Sequence, residues 1–229
     1  MGLKRDTTSE SREDRAHEPP LPGVSELIAG TALRLFAMKG YASTSVSEIV
    51  EAAGVTKPML YYYFGSKEQL ARQLVIEPLE KLKCELQSLE RDVADPSERV
   101  IRWISSQLAF CQEDPDRARF VFALYFGPLG AELASAVSEF GQAAKKVLYN
   151  AARMLGQRQS WPVTLVEDYV RAIHGQMIST AIEILYSDTA ESLLSVSENV
   201  ISRRLVNQID RGFFVYSHSL SSTSGESGQ

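Results

Sequence analysis

The sequence predicts an all-α protein in which a small N-terminal three-helix domain precedes a larger C-terminal helical domain. Apolar residues recur with the 3.6-residue period of a helix along nearly the whole chain. Neither the alternating pattern of a strand nor an internal repeat is found. The segment from Ser45 to Lys67 reads as a helix-turn-helix pair, with a further helix starting directly after it. This segment organises the N-terminal domain.

Changes in composition divide the chain into four regions. Residues 1–23 and 218–229 are rich in charged residues, Ser and Pro or in Ser and Gly, and are predicted to be disordered tails. Residues 24–70 form the predicted helix-turn-helix domain, and residues 71–217 form the larger helical domain. The last helix is expected to run from Glu191 to about Phe214.

The overall composition is ordinary for a soluble globular protein. The chain has 229 residues, 44% hydrophobic content and a net charge of −5. It contains no apolar run of membrane-spanning length and no apolar core in its N-terminal residues, so a cytoplasmic location is expected. Cys84 and Cys111 fall within helical patterns and are expected to be buried, reduced thiols, with a redox switch as the alternative.

Local rules account for the two helices of the helix-turn-helix pair. Ser45 and Glu48 have the spacing of a capping box, which starts the first helix. Gly54 ends that helix, because glycine readily adopts positive φ. Thr56 is expected to cap the second helix, with Pro58 in its first turn, where a missing N–H costs little.

The outward face of the second helix has an unusual composition. Leu60 and Phe64 are four residues apart and are expected to pack inward. The other side chains are Thr, Lys, Met and Tyr, and no acid occurs between Glu51 and Glu68. Hydroxyl and ammonium groups suit DNA phosphates, and neighbouring side chains can reach base edges in a major groove. Alternatively, the three successive tyrosines are half-buried aromatics on an ordinary surface helix.

Residues 25–70 resemble the DNA-binding domain of the TetR/AcrR family of bacterial transcriptional regulators. The resemblance covers about a fifth of the chain. It rests on Phe36, Gly40-Tyr41, the Ser45-to-Ala53 helix, Gly54-Val55-Thr56-Lys57, Leu60 to Phe64 and Ser66 to Leu70. Pro58 is a departure, since many members have glycine there, and glycine lets the backbone approach DNA closely.

The resemblance implies a dimeric, ligand-responsive regulator, most often a repressor, that binds a palindromic double-stranded DNA operator. Together with side-chain chemistry it assigns a groove-facing set and a phosphate-binding set. The first set is Thr56, Lys57, Met59, Tyr61 and Tyr62, and the second is Ser45, Tyr63 and Lys67. Residues 24–70 carry four basic and four acidic side chains, so a modest salt dependence is expected.

A fourth helix is predicted from Lys67 to about Leu89, with an interruption at Pro78. In the family this helix links the two domains, and its tilt carries the regulatory signal. The bend at Pro78 is therefore either a hinge on that route or a fixed kink that only shapes the packing.

The larger domain of the family usually encloses a pocket for a small-molecule effector. In this sequence, aromatic side chains are concentrated on neighbouring helices, together with polar groups inside apolar patterns. The candidate lining is Trp103, Gln107, Phe110, Phe120, Phe122, Tyr125, Phe126, His174 and Met177. An apolar or aromatic effector is expected. For any single residue, an ordinary place in the core is the alternative.

The helix predicted over residues 163–186 has an apolar stripe too wide for one partner. The resemblance implies that the last two long helices form the interface of a homodimer. Close approach would be allowed at Ala172, Gly175, Ser179 and Ile182.

Two other functional classes, an enzyme on a helical scaffold and a protein-binding adaptor, have weaker support. The three histidines are far apart, and no metal-ligand spacing, phosphate-binding loop or nucleophile motif is present. No catalytic residue, metal site or cofactor is therefore predicted. The second alternative is a protein-binding adaptor on the same fold, because exposed tyrosines also suit protein interfaces.

Overall fold

The computed structural model describes residues 23–126, 131–187 and 195–223, which are helical apart from short connections. The N-terminal helices are α1 (Val24–Lys39), α2 (Val46–Ala53) and α3 (Lys57–Phe64). The connection comprises α4 (Lys67–Ala71), a π-helical segment (Arg72–Ile76) and α5 (Glu77–Asp92). The larger domain comprises α6 (Pro96–Glu113), α7 (Pro115–Phe126), α8 (Ala131–Gln159), α9 (Val163–Tyr186) and α10 (Glu198–Thr223). The all-α prediction is confirmed. Within the described ranges, no helix is long and apolar enough to cross a membrane.

The final helix differs from its predicted span. It begins at Glu198 instead of Glu191 and continues to Thr223, so residues 218–223 are helical where a tail is predicted. No glycine or proline occurs between Gly212 and Gly225 to stop the helix earlier. Residues 1–22 and 224–229, which make up the rest of the two predicted tails, lie outside the described residues.

Two clusters of buried apolar side chains form the core, and the first is shared between the domains. This junction core contains side chains of α1 to α4 and the π-helical segment, and α7 adds Phe120, Val121 and Leu124. The ring centres of Phe36 and Phe120 are 5.1 Å apart. The core of the N-terminal domain therefore does not end at residue 70, because a helix of the larger domain completes it.

The irregularity in the connecting helix lies before Pro78. In the π-helical segment, the N–H of Glu77 donates to the carbonyl oxygen of Arg72, five residues back. Pro78 lies in the first turn of α5, where α-helical geometry has resumed. The predicted interruption is thus present, but one turn earlier than the proline that suggested it.

Arg99 is a buried cation held by backbone carbonyl groups. Its guanidinium donates to the carbonyl oxygens of Val93 at 2.7 Å and Glu90 at 3.3 Å. Glu90 lies in the last turn of α5 and Val93 directly follows the helix, where the helix dipole favours positive charge. The contact fixes the turn from α5 into α6.

The two cysteines occupy different environments. Cys111 is buried as expected, and burial raises the pKa of its thiol to about 12. The expectation of burial is wrong for Cys84, which is exposed on the polar face of α5 between Lys83 and Glu85.

Candidate nucleic-acid interface and effector cavity

The turn between α2 and α3 has the local structure that its residues predict. The Ser45 hydroxyl accepts from the Glu48 N–H at 3.2 Å, and the Ser45 N–H donates to the Glu48 carboxylate at 2.8 Å. Gly54 has φ of 66°, and Val55 donates its N–H to the carbonyl oxygen of Val50 at 2.9 Å. These contacts close the capping box and orient α3 relative to α2.

The start of α3 is left open. Thr56 stands at the N-cap with extended backbone, but its hydroxyl makes no capping hydrogen bond, contrary to expectation. The hydroxyl and the first N–H groups of α3 therefore remain available to an anion.

The outward face of α3 divides into exposed and half-buried side chains. Thr56, Lys57 and Pro58 are exposed at its start. The exposed fractions of Tyr61 and Tyr62 are 49% and 71%. Leu60 and Phe64 are buried on the opposite side, as predicted, and Met59 is half-buried. The structure thus brings most of the predicted groove-facing set together on one surface.

Tyr63 is half-buried, and its hydroxyl is inaccessible, without a hydrogen-bond partner among the described residues. Its ring packs against Tyr62 in an edge-to-face arrangement, with ring centres 5.3 Å apart. A buried hydroxyl without a partner costs about 1–3 kcal/mol. Its predicted phosphate contact would require the ring to move outward, and stays a prediction.

Lys67 has a structural role that its position in the sequence does not suggest. Its ammonium group donates to the carbonyl oxygens of Tyr41 at 2.9 Å and Thr44 at 2.8 Å. Partial burial lowers the pKa of Lys67. The Thr44 hydroxyl donates to the Gly40 carbonyl oxygen at 2.9 Å, so the loop before Ser45 is tied from both sides. Because these contacts span more than 20 residues, no local sequence pattern indicates them. The predicted phosphate contact of Lys67 stays a prediction.

An ion pair joins α1 to the start of α2. Lys39 lies 3.0 Å from the Glu48 carboxylate. Hydrogen bonds from the Ser45 N–H and from Lys39 hold the pKa of Glu48 down at about 2. Lys39 therefore adds little free positive charge to this surface, which leaves Lys57 as its principal cation among the predicted contacts.

A cavity of about 80 Å³ lies between α6, α7, α8 and α9. Five predicted residues line it, namely Gln107, Phe122, Tyr125, His174 and Met177. The remaining lining is Val121, Val137, Phe140, Gly141, Ala144 and Ile178. The α8 residues were missed because the predicted α8 helix carries no concentration of aromatics.

Three of the other four predicted pocket residues do not line this cavity. Trp103 is fully buried in the core, and its indole N–H donates to the Ala144 carbonyl oxygen at 2.8 Å. Phe110 lines a separate open cleft beside Pro78. Phe120 belongs to the junction core, because α7 has apolar residues on both faces. The side chain of Phe126 lies outside the described residues.

The polar groups of the cavity are incompletely bonded. Gln107 donates its amide N–H to the Trp103 carbonyl oxygen at 3.3 Å, which leaves the amide oxygen to accept. The half-buried His174 makes no hydrogen bond with the described residues, and its ring centre is 6.2 Å from that of Trp103. Burial, and then the charge of Lys145, lower the pKa of His174. Both effects favour the neutral imidazole, which has one donor and one acceptor.

The four predicted interface residues lie along one side of α9. Ala172 is half-buried, and Gly175, Ser179 and Ile182 are exposed in the single chain. A Cβ atom added to Gly175 would meet nothing within 4 Å. The structure brings this stripe together, and its role in a dimer stays a prediction.

The sequence of the N-terminal domain is similar to that of known proteins. Residues 28–74 match the family described as bacterial regulatory proteins, tetR family. The transcriptional regulator LmrA of Bacillus subtilis is 36% identical over 93 residues, which cover 39% of this chain and 49% of LmrA. An uncharacterized regulator of Mycobacterium tuberculosis is 33% identical over 110 residues, or 48% of this chain and 54% of that protein. The chain thus spans about half the length of these relatives.

Solved structures share the fold over most of the chain. A TetR-family regulator from Bordetella parapertussis aligns with a TM-score of 0.65 and 20% identity, over 82% of this chain and 95% of that one. FadR from Bacillus subtilis, in complex with stearoyl-CoA, aligns with a TM-score of 0.56 and 20% identity, over 80% and 96%. Residues 28–74 thus match the DNA-binding domain of the tetR family of bacterial regulatory proteins, and the chain shares its fold with solved TetR-family structures.

Proposed function

We propose that this protein is a transcriptional regulator of the TetR/AcrR family that binds a palindromic operator as a homodimer and represses transcription until a small effector releases it. The face of α3 carries the proposal. Its exposed Thr56, Lys57, Tyr61 and Tyr62 side chains surround the open N-terminus of the helix and include no acid. Such a face suits phosphates and base edges in a major groove. A regulator of this kind would act in the cytoplasm and needs no catalytic group.

The ligand response is supported by the position of α7. Phe122 and Tyr125 line the cavity from one side of this helix. Phe120 and Leu124, on its other side, pack into the junction core against α1. An effector that displaces α7 would therefore favour one placement of the N-terminal domain over another. DNA and effector would then oppose each other through different affinities for the two conformations.

The test is a selection from a random duplex library, followed by fluorescence anisotropy with the selected DNA. We expect a palindromic site, salt-sensitive binding, and at least a tenfold loss of affinity in Tyr62→Ala. The control is Lys81→Ala, which removes an exposed cation from α5, away from this face. Equal losses of DNA affinity in both variants would show that α3 is not the element that contacts the bases. Selection of no site by dimeric protein would favour the adaptor function.

A further inference from the structure

The cavity wall is apolar and aromatic over nearly its whole extent. Phe122, Tyr125 and Phe140 supply three aromatic rings, and Met177 adds a polarisable thioether. No Asp, Glu, Lys or Arg belongs to the lining within the described residues. Lys145 influences His174 through its charge, but its side chain is exposed and is not part of the wall. An ion bound here would lose its hydration without gaining a partner, at a cost of several kcal/mol.

Besides the hydroxyl of Tyr125, the hydrogen-bonding side chains of the wall are His174 and Gln107, and both of them contact or approach Trp103. His174 approaches the Trp103 ring, and Gln107 is bonded to the Trp103 carbonyl oxygen. The neutral imidazole offers one donor and one acceptor, and the Gln107 amide oxygen offers an acceptor. A ligand hydroxyl both donates and accepts, so it can bond to groups of either kind in this wall.

The volume restricts the rest of the ligand. A space of about 80 Å³ corresponds to roughly six water-sized spheres. This is below the range of about 300–1,000 Å³ that is usual for drug-sized ligands. It is also smaller than the cavity of about 150 Å³ that holds one benzene molecule. A single small ring therefore needs a slight opening of the wall, and a long acyl chain with a nucleotide headgroup needs a far larger one.

We propose that the effector is a neutral, single-ring aromatic alcohol, with its hydroxyl bonded to His174 and Gln107 and its ring among the aromatic side chains. Only the regulatory role of this ligand rests on the proposed function, because the binding preference follows from the cavity itself. The proposed ligand differs from the molecule bound in the FadR structure, which is stearoyl-CoA.

The experiment measures binding to the full-length, DNA-free protein by calorimetry and thermal shift at pH 7. The probes are 4-ethylphenol, ethylbenzene, 4-ethylbenzoate and octanoyl-CoA. We expect 4-ethylphenol to bind most tightly, ethylbenzene to bind about tenfold more weakly, and both anions not to bind. His174→Phe keeps a ring of similar size and should abolish the preference for 4-ethylphenol over ethylbenzene, since one hydrogen bond is worth about 0.5–1.5 kcal/mol.

Two further variants guard against misinterpretation. Gly141→Leu places a side chain towards Tyr125 and should block both neutral probes, because a Cβ at Gly141 already lies 3.5 Å from that ring. Gln176→Ala removes an exposed polar group two residues from His174 and should change nothing. Tighter binding of either anion, no binding of the neutral probes at millimolar concentration, or an unchanged preference in His174→Phe would overturn the proposal. Binding of 4-ethylphenol without release of DNA would contradict the proposed function and leave the ligand class standing.

Discussion

Arg117 donates a hydrogen bond at 3.0 Å to the carbonyl oxygen of Leu74, the acceptor four residues before Pro78. An α-helix would place the N–H of residue 78 there, and proline has none. The same guanidinium lies 2.9 Å from the Asp114 carboxylate at the start of α7. The helix that borders the cavity thus holds the connecting helix at its irregular turn.

We expect Arg117→Met to destabilise the protein by about 1–2 kcal/mol, because the Leu74 carbonyl loses its donor. Pro78→Ala supplies an N–H at the same place, so the double variant should recover part of this loss. Urea unfolding of the four proteins gives the coupling as a double-mutant cycle. Asp114→Asn is the control for the ion pair, as its amide oxygen can still accept from the Arg117 N–H. Additive effects of Arg117→Met and Pro78→Ala would show that the two residues act separately.

Because two carbonyl oxygens already hold its ammonium group, we expect Lys67 to position the DNA-binding surface in place of the phosphate contact that the resemblance implies. Lys67→Met should weaken DNA binding because the loop before Ser45 loses its two carbonyl contacts. The slope of log K against log salt should stay unchanged. The matched variant Lys57→Met should reduce that slope by about one unit, as expected on loss of one phosphate contact. A slope reduced equally in Lys67→Met would assign its ammonium group to DNA.

Gly175 is expected to matter only when two chains associate. In the single chain, Gly175→Ala fills open space and should stabilise α9 by about 0.5–1 kcal/mol. If a second helix packs closely on this face, the added methyl group should instead weaken association several-fold. Sedimentation over a range of concentrations measures the dimer constant. Gly30→Ala on α1, where an added Cβ also has room, is the control. Unchanged association in Gly175→Ala would place the interface elsewhere.

Glu48 predicts a specific response to acid. Its folded-state pKa is about 2, below the ordinary value of 4.5, because the Ser45 N–H and Lys39 bond to the carboxylate. A depressed carboxyl pKa stabilises the fold above about pH 4.5, and that contribution disappears as the pH falls from 4.5 towards 2. Glu48→Gln can keep the capping box but does not titrate, so its stability should fall less over this interval. Unfolding free energies between pH 5 and 2 check the difference, and parallel curves would refute it.

Much of the helix-turn-helix geometry could be predicted because it depends on neighbours in sequence. Ser45 and Glu48 are three residues apart, and Gly54 meets its backbone partners within one turn. Side-chain spacing likewise placed Leu60 and Phe64 inside and Tyr61 and Tyr62 outside. The cavity was predicted in part, since Gln107 and His174 stand out as polar residues within apolar patterns.

The tertiary structure alone decided which partner each ambiguous side chain has. Phe120 and Phe122 are equivalent in composition and two residues apart, yet one joins the junction core and the other the cavity. Lys67 and Lys57 are both cations on the same segment, but only Lys67 reaches carbonyl oxygens more than 20 residues away. The sequence by itself determined most of the helices, the capping box of α2 and the apolar face of α3, because those depend on local hydrogen bonds and periodicity. Packing between distant segments assigned the faces of α7 and the role of Lys67, and no local pattern records such contacts.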